Sequence, residues 1–368
     1  MSETNRMVRS TVTEDGTVRI TIEEAPMPDP GPDEVVVAVE ASPINPSDLG
    51  MLIAGADPAT FDLVDGALVG QLTPRAVAAN TARLGRPMPC GNEGAGTVIA
   101  AGSSEAAQAL LGRTVSGVSG SMYATHTKLS HTMCLAVPEG VTAADAASSF
   151  VNPLTALGMT DTMRLEGHTA LVHTAAASNL GQMLNRLCQA DGIALVNIVR
   201  RDEQAELLRS AGAEHVVVSS ADSFADDLTD ALAETGATIA FDAIGGGEQV
   251  DTILACMERA SSAGQSFSRY GSDTHKQVYI YGGLDRSATT LRRTYGMSWG
   301  VGGWLLTPFL GRVGPERMGE LQARVAAEIT TTFASSYAST IALDDVLDPE
   351  TARAYAAQAT GEKRLITP

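Results

Sequence analysis

Residues 168–201 read His168-Thr169-Ala170-Leu171-Val172-His173, then Thr174-Ala175-Ala176-Ala177-Ser178-Asn179-Leu180-Gly181, then a helix-compatible run from Gln182 to Ala190, then Ala194-Leu195-Val196-Asn197-Ile198-Val199-Arg200-Arg201. Two apolar runs of strand length flank a small-residue turn and a helix. The order strand, turn, helix, strand is the first half of a dinucleotide-binding fold. Such a turn needs small residues because the backbone must come close to a pyrophosphate, which N–H groups at the helix start then hold. The glycine positions of a G-x-G-x-x-G fingerprint fall on Ala176, Ser178 and Gly181, so the strict motif is absent. Ala177, Ser178, Asn179, Leu180 and Gly181 are the candidate pyrophosphate contacts.

Arg200 lies nineteen positions after Gly181. At about that distance NAD-binding chains place a carboxylate on the ribose 2′-hydroxyl, and NADP-binding chains place an arginine. Arg200 and Arg201 would attract a 2′-phosphate that an acid would repel. The expected cofactor is therefore NADPH. Two solvated arginines at a helix start are the plainer alternative.

The chain has 368 residues, enough for two domains with real cores. Its net charge of −18, from 43 acids against 25 bases, argues against a nucleic-acid or anionic-membrane partner. No apolar run approaches the roughly 20 residues that span a bilayer, and Met1-Ser2-Glu3-Thr4-Asn5-Arg6 lacks the apolar core of a signal peptide. Cys90, Cys134, Cys188 and Cys256 form no CxxC pair, which disfavours zinc knuckles and a disulfide framework and makes a reducing cytoplasm the default.

Short β-like runs at 17–23, 34–41, 96–101 and 123–129, punctuated by turns such as Pro26-Met27-Pro28-Asp29-Pro30-Gly31-Pro32, predict a β-rich barrel-like domain over residues 1–150. Within it, 54–89 is less regular, with a short helix expected over 73–84. We expect this stretch to form a lid over the substrate pocket; a surface excursion is the alternative. Residues 151–310 alternate strand and helix, with further strands at 214–218, 238–241 and 277–281, as in a parallel sheet covered on both faces. The return segment 311–368 carries helices at 315–329 and near 349–357 and a final apolar run, Arg364-Leu365-Ile366.

This α/β order resembles the medium-chain dehydrogenase/reductase superfamily, in which a β-rich GroES-like catalytic domain accompanies a doubly wound Rossmann domain. Ser42-Pro43-Ile44-Asn45-Pro46-Ser47-Asp48 is similar to the N-P-x-D segment of its zinc-free quinone oxidoreductase and 2-enoyl thioester reductase branch. Gly91-Asn92-Glu93-Gly94-Ala95-Gly96, Val151-Asn152-Pro153-Leu154-Thr155-Ala156, Asn197-Ile198-Val199-Arg200, Gly212-Ala213-Glu214-His215-Val216, Phe241-Asp242-Ala243-Ile244-Gly245-Gly246 and Gly361-Glu362-Lys363-Arg364-Leu365 follow in the family's order. The resemblance implies a homodimer joined through the cofactor-domain sheets. It also implies that Asn45 and Thr155 lie near the nicotinamide. Ala243 and Ile244, and likewise Gly282 and Gly283, follow strands whose carboxyl ends should meet the cofactor, and Lys363 is expected at a phosphate. Lone turn residues and a surface lysine are the alternatives.

Zinc-dependent members hold the metal with a Cys and a His-Glu pair. Here those positions are Asn45-Pro46 and Asn92, which offer no thiolate or imidazole. No metal is expected. Without a Lewis acid, hydride transfer suits an acceptor that is already electrophilic: a quinone, an enone or an enoyl compound. The tyrosine that the thioester reductases carry near the N-P-x-D segment is missing, since Asp48 is followed by Leu49-Gly50-Met51-Leu52-Ile53. Candidate proton donors are Tyr123, Tyr295, Ser47 and solvent. The sequence therefore predicts an NADPH-dependent, quinone oxidoreductase-like enzyme, with an NADPH-binding sensor or structural protein of little turnover as the alternative.

Overall fold

The computed structural model describes residues 4–357, 361 and 363–368; Met1–Glu3 and Glu362 of the closing motif lie outside them. The chain divides into two compact units, one built from the chain up to Val151 together with that from Gln322 onward, the other from Asn152–Leu321. The first unit thus regains the chain at Gln322, eleven residues beyond the return point expected at 311. Gly314, at φ +81°, interrupts the helix Leu306–Ala327, and Pro315 restarts it with a ring suited to a first helical turn.

The β-rich unit carries two sheets. Glu34–Pro43 is the central strand of one, antiparallel to Glu93–Ala101 on one side and to Arg364–Thr367 on the other. Val35, Val37 and Val39 alternate onto one face and meet Val98 and Val115 in a core. Each such buried side chain contributes about 1.5–3 kcal/mol. The other sheet orders Asp62–Val64, Ala67–Gln71, Thr17–Ala25, Asn5–Val12 and Met88–Pro89. Asn5–Val12 was not anticipated.

The stretch 54–89 is built into this second sheet. Its hairpin extends the sheet edge, and Phe61 is buried beneath it. Asn80 Nδ2 bonds Ala54 O at 3.1 Å, Arg83 bonds Met51 O at 3.0 Å, and Arg353 bonds Phe61 O at 2.6 Å. The expected helix shrinks to Pro74–Ala79, capped by Thr73, followed by a 3-10 turn.

In the other unit, six parallel strands order, among the described residues, as His215–Val218, Ala194–Val199, Ala170–Thr174, Ile239–Asp242, Lys276–Ile280 and Trp299–Gly303. Ala170–Thr174 is buried along its whole length, as a parallel strand covered on both faces should be. The edge strand Trp299–Gly303 was not anticipated. Fully buried Lys276 pins the preceding loop: its Nζ lies 2.6 Å from Glu258 Oε2 and donates to Ser272 Oγ and Thr274 O. A buried ammonium with all three hydrogens used is tolerable where an unpaired one is not.

Candidate functional site

Parallel strands end together, so the cofactor unit gathers its turns along one edge of the sheet. After Ala170–Thr174 the chain turns through Ala175, at φ +50°, a left-handed conformation costly for a residue with a Cβ. Ser178 caps the helix Asn179–Asp191, its hydroxyl accepting from the Gly181 N–H at 3.1 Å. The other first-turn amides lack helical partners by construction. Ala176 and Ala177 are buried, and a Cβ placed on Gly181 would lie 2.1 Å from the Ala176 carbonyl oxygen. The third fingerprint glycine is therefore the one whose side chain the fold forbids.

At the end of Ala194–Val199, Arg200 and Arg201 are exposed while their backbone is fixed. Both N–H groups donate to Gln204 Oε1, at 3.1 and 3.2 Å, and Ser220 Oγ donates to Arg200 O at 2.7 Å. The Arg201 guanidinium stands 3.9 Å from Glu203. Neither Gln204 nor Ser220 was singled out from sequence.

The next turns are organised by Asp242, also missed. Its carboxylate accepts from Thr174 Oγ1 at 2.7 Å, Ile244 N at 3.2 Å and Gly245 N at 2.8 Å, while Thr174 Oγ1 accepts from Ala243 N at 2.8 Å. This ties Ala243 and Ile244 to the end of the first strand. Gly282 packs so closely on them that a Cβ there would meet Ala243 O at 2.6 Å, and Gly283 follows in open space. The sequence-predicted turns 175–181, 200–201, 243–244 and 282–283 thus all open from the carboxyl ends of neighbouring strands. Thr155 is buried in the helix Val151–Leu165.

His173, at the end of its strand, is fully buried, with Nε2 2.7 Å from Tyr281 OH and the rings stacked at 5.7 Å. Burial drives its protonation down to about 3. An unfolded histidine titrates near 6.5, so the folded state binds fewer protons between those values. Its stabilising contribution is complete above about pH 6.5 and is lost as pH falls towards 3. Urea unfolding should show the wild type losing roughly 3 kcal/mol more between pH 7 and pH 4 than His173→Gln; equal losses would remove His173 from the acid response.

The β-rich unit carries its own polar layer. Asn45 caps the helix Pro46–Leu52, with its N–H donating to Asp48 Oδ2 at 2.8 Å. Asp48 Oδ1 accepts from Asn92 N at 2.8 Å. Glu93 accepts from Asn45 Nδ2 at 2.8 Å and from the N–H groups of Phe150 and Val151 at 3.1 and 2.7 Å. Burial pushes the Asp48 carboxyl up to about 6 against these bonds, and raises Glu93 as well. Asn45 Oδ1 is buried without a protein partner. On the exposed side, Asn92 Nδ2 donates to Ser47 Oγ at 3.1 Å.

The two phenols considered as proton donors lie in apolar cores. Tyr123 is fully buried and donates to Pro43 O at 3.1 Å. Tyr295 is fully buried and packs edge-on against Trp299 at 5.1 Å. These placements correct the expectation that either meets an acceptor directly. Of the three side chains named as donors, Ser47 alone is exposed. Lys363, expected at a phosphate, donates to Ser148 Oγ at 2.7 Å and lies 5.7 Å from the Tyr337 ring. Burial lowers it to about 8 against the pull of Glu93. The described residues contain no group of three or more His, Cys, Asp or Glu able to hold a metal, and no helix long and apolar enough to cross a membrane.

The profile of the zinc-binding dehydrogenase family matches residues 180–265, which lie wholly within the cofactor unit. A mycocerosic acid synthase-like polyketide synthase of Mycobacterium tuberculosis is 29% identical over 224 residues, covering 60% of this chain and 9% of the synthase. The mitochondrial enoyl-[acyl-carrier-protein] reductase of Xenopus tropicalis is 30% identical over 195 residues, 51% of this chain and 49% of the reductase. The chain thus matches about half the length of that reductase and about a tenth of the synthase. A Mesorhizobium loti protein assigned to the NADPH:quinone reductases has the same fold, with a TM-score of 0.75 and 24% identity over 100% of this chain and 99% of that one.

Proposed function

We propose that this chain is a member of the medium-chain dehydrogenase/reductase superfamily, a reading supported by the family profile over residues 180–265 and by the shared fold, and that it is an NADPH-dependent reductase delivering hydride to a quinone or an activated C=C bond without zinc. The observation that carries the proposal is the exposed Arg200–Arg201 pair at the carboxyl end of Ala194–Val199, its backbone fixed by Gln204 and Ser220. Two cations where an acid would select NAD favour the 2′-phosphate. The turn 175–181 fits the pyrophosphate, since small buried residues and a capped helix start leave backbone for the anion. Ala243, Ile244, Gly282 and Gly283 are assigned the nicotinamide end. When bound, reduced nicotinamide supplies the hydride.

Zinc independence rests on the donor set, because Asn92 and Asn45-Pro46 replace the imidazole and thiolate that zinc prefers. The acceptor must then be electrophilic unaided, which selects quinones, enones and enoyl compounds. Cytoplasmic residence and a homodimer belong to the same proposal.

Fluorescence titration with NADPH and NADH, followed by stopped-flow mixing with a panel of quinones, enones and enoyl thioesters, tests it. We expect NADPH to bind more tightly than NADH and to be oxidised by at least one acceptor class in metal-free protein. Binding without turnover by any class would leave a nucleotide sensor, and turnover that depends on added zinc would refute the metal-free chemistry.

A further inference from the structure

We propose that His173 and Tyr281 form a strut that sets the distance between the pyrophosphate turn and the nicotinamide turn, and so position the reduced ring for hydride transfer; the proposal rests on the reductase reading above. Both residues and both turns lie within the cofactor unit. His173 is the penultimate residue of Ala170–Thr174, just before the turn 175–181. Ala175, at φ +50°, stands two residues beyond it, so the strut grips the strand where the turn begins. Tyr281 follows Lys276–Ile280 and directly precedes Gly282 and Gly283.

These two strands are not neighbours. Ile239–Asp242 runs between them, with His173 in register with Phe241 and Phe241 in register with Tyr279. Two strand spacings, roughly 10 Å, therefore separate the outer strands. The two side chains span that gap: Tyr281 OH and His173 Nε2 are hydrogen-bonded at 2.7 Å, and the rings stack at 5.7 Å. Backbone bonds tie the segment around 282–283 only to the middle strand and its turn, with Tyr281 N donating to Asp242 O at 2.9 Å and Leu284 N to Ala243 O at 3.1 Å. The strut supplies a direct link from that segment to the first strand.

Stability alone does not account for the pair. Replacing both partners of a buried hydrogen bond by apolar groups of the same shape can be nearly neutral. His173 Nδ1 is also buried without a partner, a cost that an apolar side chain would avoid. What the polar pair adds over an apolar one is direction. A bond of fixed length holds the end of the phenol, and with it Tyr281, at one distance from the first strand. Hydride transfer needs that precision, since a misplacement of about 1 Å can cost about 100-fold in rate. His173 and Tyr281 are thus positioning residues, and neither has to touch the nucleotide.

The test combines His173→Phe with Tyr281→Phe in the full chain. The double variant keeps two rings to stack and removes both polar groups, so it should fold; a melting curve checks this, and Tyr281→Phe alone is a milder second variant with the same expectations. Two probes are titrated: adenosine 2′,5′-bisphosphate, which lacks the nicotinamide, and NADPH, whose reduced-ring fluorescence reports the surroundings of the ring. We expect the bisphosphate to bind variant and wild type alike. NADPH should bind the variant about threefold to tenfold more weakly, with altered ring fluorescence. Single-turnover hydride transfer to an enone at saturating NADPH should slow by about 10- to 100-fold. His173→Gln, which keeps a hydrogen-bonding partner for the phenol, should retain most of the wild-type rate. Unchanged NADPH affinity, ring fluorescence and hydride rate in the variants would overturn the proposal. Equal weakening of both probes would overturn it too, because the damage would then not be confined to the nicotinamide end. A wild type that binds neither probe, or whose bound NADPH no acceptor oxidises, would instead overturn the reductase reading, so the two failures are distinguishable.

Discussion

Replacing Arg200 and Arg201 together with alanine should weaken NADPH binding by about 100- to 1000-fold while changing NADH binding only a few-fold. A hydrogen bond to a charged group contributes about 1.5–3 kcal/mol, and about 1.4 kcal/mol corresponds to tenfold in affinity. Two such contacts would reach beyond a thousandfold if fully desolvated. Both side chains are exposed, and solvent screening discounts the sum to the lower range. The backbone there is held by Gln204 and Ser220 and not by the guanidinium groups, so the double variant should keep its fold. Parallel fluorescence titrations with the two reduced nucleotides read the effect. An unchanged preference between them would show that the pair is merely solvated.

Gly181→Val should abolish binding of both nucleotides, by more than about 100-fold, and lower thermal stability. The added Cβ would sit 2.1 Å from the Ala176 oxygen and 2.6 Å from its carbonyl carbon. Backbone cannot retreat as a flexible side chain can, so the turn must open. Overpacking of this kind costs about 1–3 kcal/mol or more, and the amides of the first helical turn lose their alignment. The contrast with the arginine variant is diagnostic: losing the cations costs only the phosphorylated nucleotide, whereas losing the turn costs both. Titration and a melting curve on the same preparation measure this, and near-native NADPH affinity in Gly181→Val would dissociate the turn from nucleotide binding.

The elements that were legible in the sequence are those whose pattern is local. Ala170–Thr174 and Ala194–Val199 are mostly apolar because parallel strands are covered on both faces, and the helix between them is bounded by Ser178 and by Gly192 in the left-handed conformation. What escaped was set by partners distant in the chain. Trp299–Gly303 is rich in glycine and lacks a strand's side-chain pattern; its pairing with Lys276–Ile280 makes it a strand. The hairpin of 62–71 is specified by the free edge of Thr17–Ala25. Within the site, the spacing from Gly181 to Arg200 was readable, but the fate of each polar side chain was not. Tyr123 finds Pro43 eighty residues away, and Lys363 finds Ser148 more than two hundred away. No periodicity reports such encounters. The strain also fell elsewhere than the fingerprint suggested, on Ala175, one residue before the first glycine position.

The β-rich unit closes only when Arg364–Thr367 lies beside both Glu34–Pro43 and Ser339–Ala342. Its central strand is thus made early in synthesis and must wait for a neighbour more than three hundred residues behind it, whereas the nucleotide-holding unit is contiguous. On the ribosome, the latter can condense first, leaving the Ser42–Pro43 end of that strand uncovered in the interval, while His126–Ser130 already pairs with Glu34–Ala38. Loop closure of that span is slow, and bare strand edges invite pairing with other chains. The vulnerable moment in this molecule's life is therefore its birth, before Arg364–Thr367 is in place.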